Sequence, residues 1–273
     1  KEHRSADGTR KLLLRLRDGE YVECVLIPEE ERRTACLSTQ VGCGVGCAFC
    51  ASGAEGLVRN LTAGEIVEQA HHLASRAGGR LTNVVVMGMG EPLHNVPALA
   101  KALRLLQDPE GLDLSSRRIT VSTSGPRRGF QELLSEGFRV NLAVSLHAAE
   151  DGLRRRLVPR GGSGDVAELA SMADAWFRAT GRDVTFEYVL LDGVNDRDGD
   201  AEAVARLAGP HRNVNLIPMN PVPFAPALRA PPRERCERFR MILERRGVVV
   251  HLRRQRGDDV AAACGQLRLS RAR

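Results

Sequence analysis

Residues 34–50 read TACLSTQVGCGVGCAFC. A short β-rich run, TACLST, leads directly into a glycine-flanked loop that carries Cys43, Cys47 and Cys50. A helix start follows: in LTAGEIVEQAHHLASR (61–76), Thr62 and Glu65 stand at the spacing of a capping box. Strand, loop, helix is then the order of the rest of the chain. Further strand candidates lie at 82–90, 117–125, 139–147, 183–191, 213–220 and 247–254. Helical stretches separate them at 96–106, 127–137, 149–157, 166–180, 201–208 and 232–247. Several of the strands are nearly continuous Val, Leu and Ile, as expected for strands covered on both faces of a parallel sheet. Alternation at roughly 30-residue spacing marks βαβ units. About six such units predict an α/β fold, a barrel or part-barrel from residue 34 onward. Residues 1–33 stand outside this rhythm, and LLLRLRDGEYVECVLIP reads as a β-hairpin extension turning at Asp18–Gly19.

Bulk properties narrow the function classes. With 42% apolar and 27% charged residues the chain fits a globular protein. No run approaches the roughly 20 apolar residues of a membrane-spanning helix. KEHRSADGTRK has no apolar stretch after its charges, so no secretory signal is read, and a chain beginning at Lys1 reads as a piece of a longer protein. The seven cysteines are Cys24, Cys36, Cys43, Cys47, Cys50, Cys236 and Cys264. An odd count without a signal argues for reduced thiols used in chemistry or metal binding, and for a cytoplasmic location. The net charge is +6, and apart from Lys1, Lys11 and Lys101 every basic residue is arginine. Clusters such as Arg154–Arg155–Arg156 and HLRRQRG (251–257) fit a phosphate-bearing partner, although a genome rich in arginine codons gives the same bias.

Three thiolates in eight residues are too few for a closed zinc site and odd for disulfides. A cluster of four irons bound by three cysteines leaves one iron open for a small molecule. A zinc site completed by Cys36, His71 or another distant residue is the competing reading. In parallel sheets the chemistry gathers at the C-terminal ends of strands, where MGMGEP, STSG, SLHA, LLDGVND and PMNP all fall.

The C-x3-C-x2-C spacing, with Phe49 before the last cysteine, resembles the radical S-adenosylmethionine (SAM) superfamily. CLSTQVGCGVGCAFCASG, GLVRNLTAGEI, VVVMGMGEPL, RRITVSTSG, LAVSLHA, IPMNPVP and RGDDVAAACGQL narrow the likeness. In order and spacing they resemble the adenosine C2 methyltransferases of ribosomal and transfer RNA, the RlmN type, relatives of the Cfr resistance methylases. The resemblance implies a partial (β/α)6, TIM-like barrel of the radical SAM type. It divides the chain into a β extension (1–33) and a core (34–273) ending in a reactive-cysteine segment. The family's upstream helical RNA-binding domain has no counterpart in the sequence.

The resemblance also implies roles. Cys43, Cys47 and Cys50 would hold a [4Fe-4S] cluster. Gly90, Glu91, Ser122, Ser145, Leu146, His147 and Asn220 would contact SAM. Cys264, which alone reads as a small buried hydrophobe, would be the methylated cysteine. Cys36 would be the second reactive cysteine and Glu23 the proton acceptor, while Cys24 and Cys236 are read as structural. In the family scheme Cys264 takes a methyl from one SAM, and a second SAM yields a 5′-deoxyadenosyl radical. The carbon from Cys264 is delivered to adenine, and Cys36 then forms a transient disulfide with Cys264. The expected partners are 23S ribosomal RNA, transfer RNA as a further substrate, and a reductant of the flavodoxin or ferredoxin type, with no membrane and a monomeric chain. Alternatives are C8 methylation of the Cfr type, against which Pro92 in GEP speaks, and a catalytically silent iron–sulfur relative. VPRGGSGD (158–165) and PVPFAPALRAPP (221–232) depart from the family pattern.

Overall fold

The computed structural model describes residues 1–161, 165–253 and 256–268. The middle of VPRGGSGD and two residues of HLRRQRG lie outside them. Strands β1 (Glu2–Arg4), β2 (Arg10–Arg15) and β3 (Tyr21–Glu29) form an antiparallel meander. The predicted hairpin is present, with Arg15 opposite Tyr21 across the Asp18–Gly19 turn. It is not separate from the core. β3 pairs antiparallel with β4 (Arg32–Cys36), Val25 opposite Cys36, so the extension continues the main sheet.

After β4 a small hairpin, β5 (Gln40–Gly42) with β6 (Leu57–Asn60), brackets the cysteine loop. α1 (Ala63–Ala74) then begins on the predicted capping box. Thr62 N–H donates to Glu65 Oε2 at 2.8 Å, and Glu65 N–H to Thr62 Oγ1 at 3.2 Å. The alternation runs on through β7 (Asn83–Val86), α2 (Val96–Gln107), β8 (Ile119–Thr123), α3 (Arg127–Ser135) and β9 (Asn141–Ser145). It continues with α4 (Asp151–Leu157), α5 (Val166–Thr180), β10 (Val184–Leu190), α6 (Asp198–Ala208), β11 (Arg212–Pro218), α7 (Arg233–Arg245) and β12 (Val250–Leu252).

From β4 to β12 every neighbouring pair in the main sheet is parallel. The sheet order, β1-β2-β3-β4-β7-β8-β9-β10-β11-β12, closes on itself nowhere among the described residues, so the barrel is partial. Strand residues such as Val84, Val121, Phe186 and Val214 are fully buried, and Trp176 of α5 and Phe239 of α7 fill the layer between strands and helices. Cys24 and Cys236 lie in this core, in keeping with a packing role. Among the described residues no helix is long and apolar enough to cross a membrane.

Candidate active site

The cysteine loop lies across the C-terminal rim of the strands. Cys43 N–H donates to Gly56 O at 2.9 Å and Ala48 N–H to Leu157 O at 2.9 Å, tying the loop to β6 and α4. Phe49 stands edge-on to the His147 ring at 4.7 Å between centroids. Below the loop is a cavity of about 160 Å³. Residues from the cysteine loop, four strand ends and the C-terminal segment meet there: Cys43, Cys47 and Cys50 from the loop, Gly90 and Glu91 after β7, Ser122 of β8, Ser145 and His147 at β9, Asn220 after β11, and Cys264 from the C-terminal segment.

The loop after β7 is held by residues before the cysteines. Met89 N–H donates to Ser38 Oγ at 2.7 Å and Glu91 N–H to Gln40 Oε1 at 2.8 Å. Gly90 has φ +104°, and a Cβ there would lie 2.6 Å from Gln40 Cβ, so the position requires glycine. The Glu91 carboxylate is filled by Leu93 N–H, Thr123 Oγ1, Ser124 N–H and Ser124 Oγ, all within 2.9 Å. It braces the rim of the cavity that Glu91 helps to line. His147, at φ +58°, accepts Val189 N–H on Nδ1 at 3.1 Å, which leaves Nε2 to carry the proton. Burial, with Arg154 adding to it, holds its pKa down to about 3, so the ring is neutral.

Three predicted residues, Leu146, Glu23 and Cys36, do not line this cavity. Leu146, just past the end of β9, is fully buried in the hydrophobic core, whereas its neighbours Ser145 and His147 line the cavity. Glu23 lines neither this cavity nor the next; its carboxylate lies 3.1 Å from Lys11 Nζ and accepts Arg268 N–H at 3.0 Å. Cys36 lines a second cavity of about 540 Å³. The two cavities share a wall that includes Cys50, Asn220, Arg253 and Cys264. Cys264 thus lines both the cavity of Cys43, Cys47 and Cys50 and the cavity of Cys36, with both its thiol and that of Cys36 free. Burial pushes the Cys36 thiol up to about 12, and nearby Cys264 adds to the effect.

Glu187 and Arg253 were not singled out from the sequence. Glu187 of β10 lines the first cavity, 4% exposed. Asn215 Nδ2 donates to its Oε1 at 3.0 Å, and Oε2 has no partner among the described residues. Burial raises its pKa. Arg253 Nη1 approaches Cys264 Sγ at 3.6 Å. A lone carboxylate inside the apolar run DVTFEYVLL was the available signal for Glu187.

The donor set fits a cluster better than zinc. Among the described residues no His, Cys, Asp and Glu side chains gather around a single ion. Cys43, Cys47 and Cys50 instead line one cavity together, as a wider iron–sulfur cube held at three corners requires. Burial raises all three thiols, Cys43 to about 11, so only a bound cation would keep them as thiolates at neutral pH.

Comparison with known proteins agrees with this geometry. The Radical SAM superfamily matches residues 37–204. The chain is 48% identical over 270 residues, 98% of its length, to 73% of the probable dual-specificity RNA methyltransferase RlmN of Symbiobacterium thermophilum. It is 47% identical over 266 residues to the dual-specificity RNA methyltransferase RlmN of Syntrophotalea carbinolica, covering 97% of this chain and 71% of that one. A crystal structure of a radical SAM methyltransferase from Sphaerobacter thermophilus superposes with a TM-score of 0.95 at 50% identity, covering 99% of this chain and 80% of that one. With a three-cysteine loop on a partial barrel and relatives matched over nearly its whole length, the chain belongs to the radical SAM superfamily and, within it, to the RlmN-type dual-specificity RNA methyltransferases.

Proposed function

We propose that the chain methylates C2 of an adenosine in 23S ribosomal RNA, and in transfer RNA as a further substrate, with Cys264 as methyl carrier. The observation that carries this reading is the place of Cys264. It stands on the wall between the cavity of Cys43, Cys47 and Cys50 and the cavity of Cys36. A carrier must meet a methyl donor on one side and a resolving thiol on the other.

Cys43, Cys47 and Cys50 would hold the cluster, and the backbone at Gly90 and Glu91 with Ser122, Ser145, His147 and Asn220 would seat SAM. When bound, cluster and SAM supply a 5′-deoxyadenosyl radical able to remove hydrogen from a methyl thioether. Adenine C2 is electron-poor and does not attack a sulfonium methyl, so the carbon has to arrive as a radical from a carrier. The Cys264 sulfur would attack the methyl of one SAM, with S-adenosylhomocysteine leaving. That methyl would then lose a hydrogen atom to the radical and bond through its carbon to C2, whose own hydrogen would leave as a proton with one electron returned to the cluster. Cys36 then attacks the Cys264 sulfur, freeing the product and leaving a disulfide for a cellular reductant. Two SAM are used per methyl transferred. The same adenine methylated at C8 is the second reading; Pro92 beside Glu91 favours C2.

The test is anaerobic incubation of cluster-loaded protein with methyl-labelled SAM, a flavodoxin or ferredoxin reductant, and protein-free 23S ribosomal RNA or transfer RNA. Mass mapping should find label at C2 of one adenosine. Cys36→Ala should accumulate RNA bonded to Cys264, and Cys264→Ala should neither take up methyl nor crosslink. Normal product release by Cys36→Ala would remove its resolving role.

A further inference from the structure

The N-terminal hairpin reaches the reactive cysteine through one buried charge pair. Lys11 of β2 and Glu23 of β3 are diagonal neighbours on one face of the hairpin, since Lys11 pairs with Val25 and Leu13 with Glu23. Lys11 Nζ and Glu23 Oε1 are 3.1 Å apart, with side chains only 8% and 4% exposed. Each partner has one further contact to the C-terminal segment. Lys11 Nζ donates to Ala261 O at 3.1 Å, and Glu23 Oε2 accepts Arg268 N–H at 3.0 Å. Ala261 stands just before Cys264 and Arg268 just after it, so the pair grips both ends of the loop that carries the thiol.

We propose that Lys11 and Glu23 are positioning residues that clamp the Cys264 loop; the proposal rests on the reading of Cys264 as methyl carrier. Stability alone does not explain the pair. Desolvating two charges offsets most of their attraction, and apolar residues of similar volume generally serve a core as well. What apolar residues cannot supply is a donor for Ala261 O and an acceptor for Arg268 N–H. The loop needs such ties. Cys264 lies in no helix or strand. Ala261 is held at φ +51°, a conformation that persists in a non-glycine residue only where its surroundings impose it.

The opposite side of the loop is tied to residues that directly follow Cys50 and to Asn220 after β11. Ala51 N–H donates to Gly265 O at 2.7 Å, Ser52 Oγ to Leu267 O at 2.6 Å, and Asn220 Nδ2 to Cys264 O at 2.9 Å. Cys264 is therefore suspended between the cysteine loop and the hairpin. A carrier sulfur has to be placed to within about an ångström of its donor, and small misplacements cost rate steeply. The clamp gives the β extension a part in the chemistry and accounts for a Glu23 that faces neither cavity.

The test uses the full chain with its cluster loaded. The double variant Lys11→Met/Glu23→Leu removes both ties without stranding a buried charge, and Glu23→Gln keeps an acceptor for Arg268 N–H. Deuterium exchange of residues 256–268 and the rate of methyl labelling of Cys264 from SAM, without RNA, are measured together, with cluster absorbance as a check on the site. The double variant should exchange this segment about tenfold faster, with the barrel strands unchanged, and label Cys264 about tenfold more slowly. Glu23→Gln should stay within about threefold of wild type on both readouts. Should the double variant fail to fold, Lys11→Met/Glu23→Gln removes the tie to Ala261 alone without a buried charge, and should fall between wild type and a tenfold change on both readouts. Wild-type exchange in 256–268 of the double variant would overturn the clamp. So would a double variant that labels Cys264 at the wild-type rate. A wild-type protein that never labels Cys264 would instead refute the carrier reading, and the exchange data would still decide the clamp.

Discussion

Replacing Glu91 with glutamine probes how the rim after β7 is held. The carboxylate is 3% exposed and accepts four hydrogen bonds. Oε1 takes Leu93 N–H at 2.9 Å and Thr123 Oγ1 at 2.7 Å; Oε2 takes Ser124 N–H at 2.7 Å and Ser124 Oγ at 2.8 Å. An amide keeps a single acceptor oxygen. The two hydroxyls can rotate to accept from the new NH2 group, but a backbone N–H cannot. Whichever way the amide turns, Leu93 N–H or Ser124 N–H is left facing a donor. A buried polar group without a partner costs about 1–3 kcal/mol, and the surviving bonds lose their charge assistance. The loss is therefore about 3 kcal/mol. In a chain of this size that lowers Tm by about 6–12 °C. Calorimetry of wild type and Glu91→Gln at equal cluster loading measures it. A Tm within about 2 °C of wild type would refute the view that this carboxylate braces the rim.

Other outcomes follow from the same structure. Burial holds His147 down to about 3 against an ordinary 6.5, so between those values the unfolded chain binds one proton more. The contribution of His147 is complete above pH 6.5 and is lost as pH falls toward 3, at up to about 1.4 kcal/mol per pH unit. His147→Gln should flatten that slope in urea titrations at a series of pH values. Gly90→Ala puts a Cβ 2.6 Å from Gln40 Cβ at a positive φ, and should cost about 1–3 kcal/mol in urea unfolding as well as weaken SAM binding measured by calorimetry. Thr62→Ala removes one half of the capping box of α1 and should cost about 1 kcal/mol in the same unfolding assay, without altering cluster absorbance.

Sequence by itself determined the local features. The repeat of apolar runs and capping signals set the strand–helix order, because burial on one or both faces leaves a period in the chain. The capping box at Thr62 and the turn at Asp18–Gly19 were legible for the same reason, each depending on a few adjacent residues. The three-cysteine loop was legible because its cysteines lie within eight residues of one another. Even so, the small hairpin of β5 and β6 that carries the loop was missed, since short strands leave too little pattern to read.

Only the tertiary structure decided what meets at distance. That Cys264 stands between two cavities, that Arg253 reaches its sulfur, and that Glu187 keeps an unpartnered oxygen all depend on how parallel strands bring far-apart segments to one rim. The burial of Leu146 came from core packing just past β9, and the commitment of Glu23 to Lys11 and Arg268 came from pairing the chain's two ends. Such contacts leave no local period. A side chain's partner across more than 200 residues is set by packing, and packing appears only once the sheet has formed.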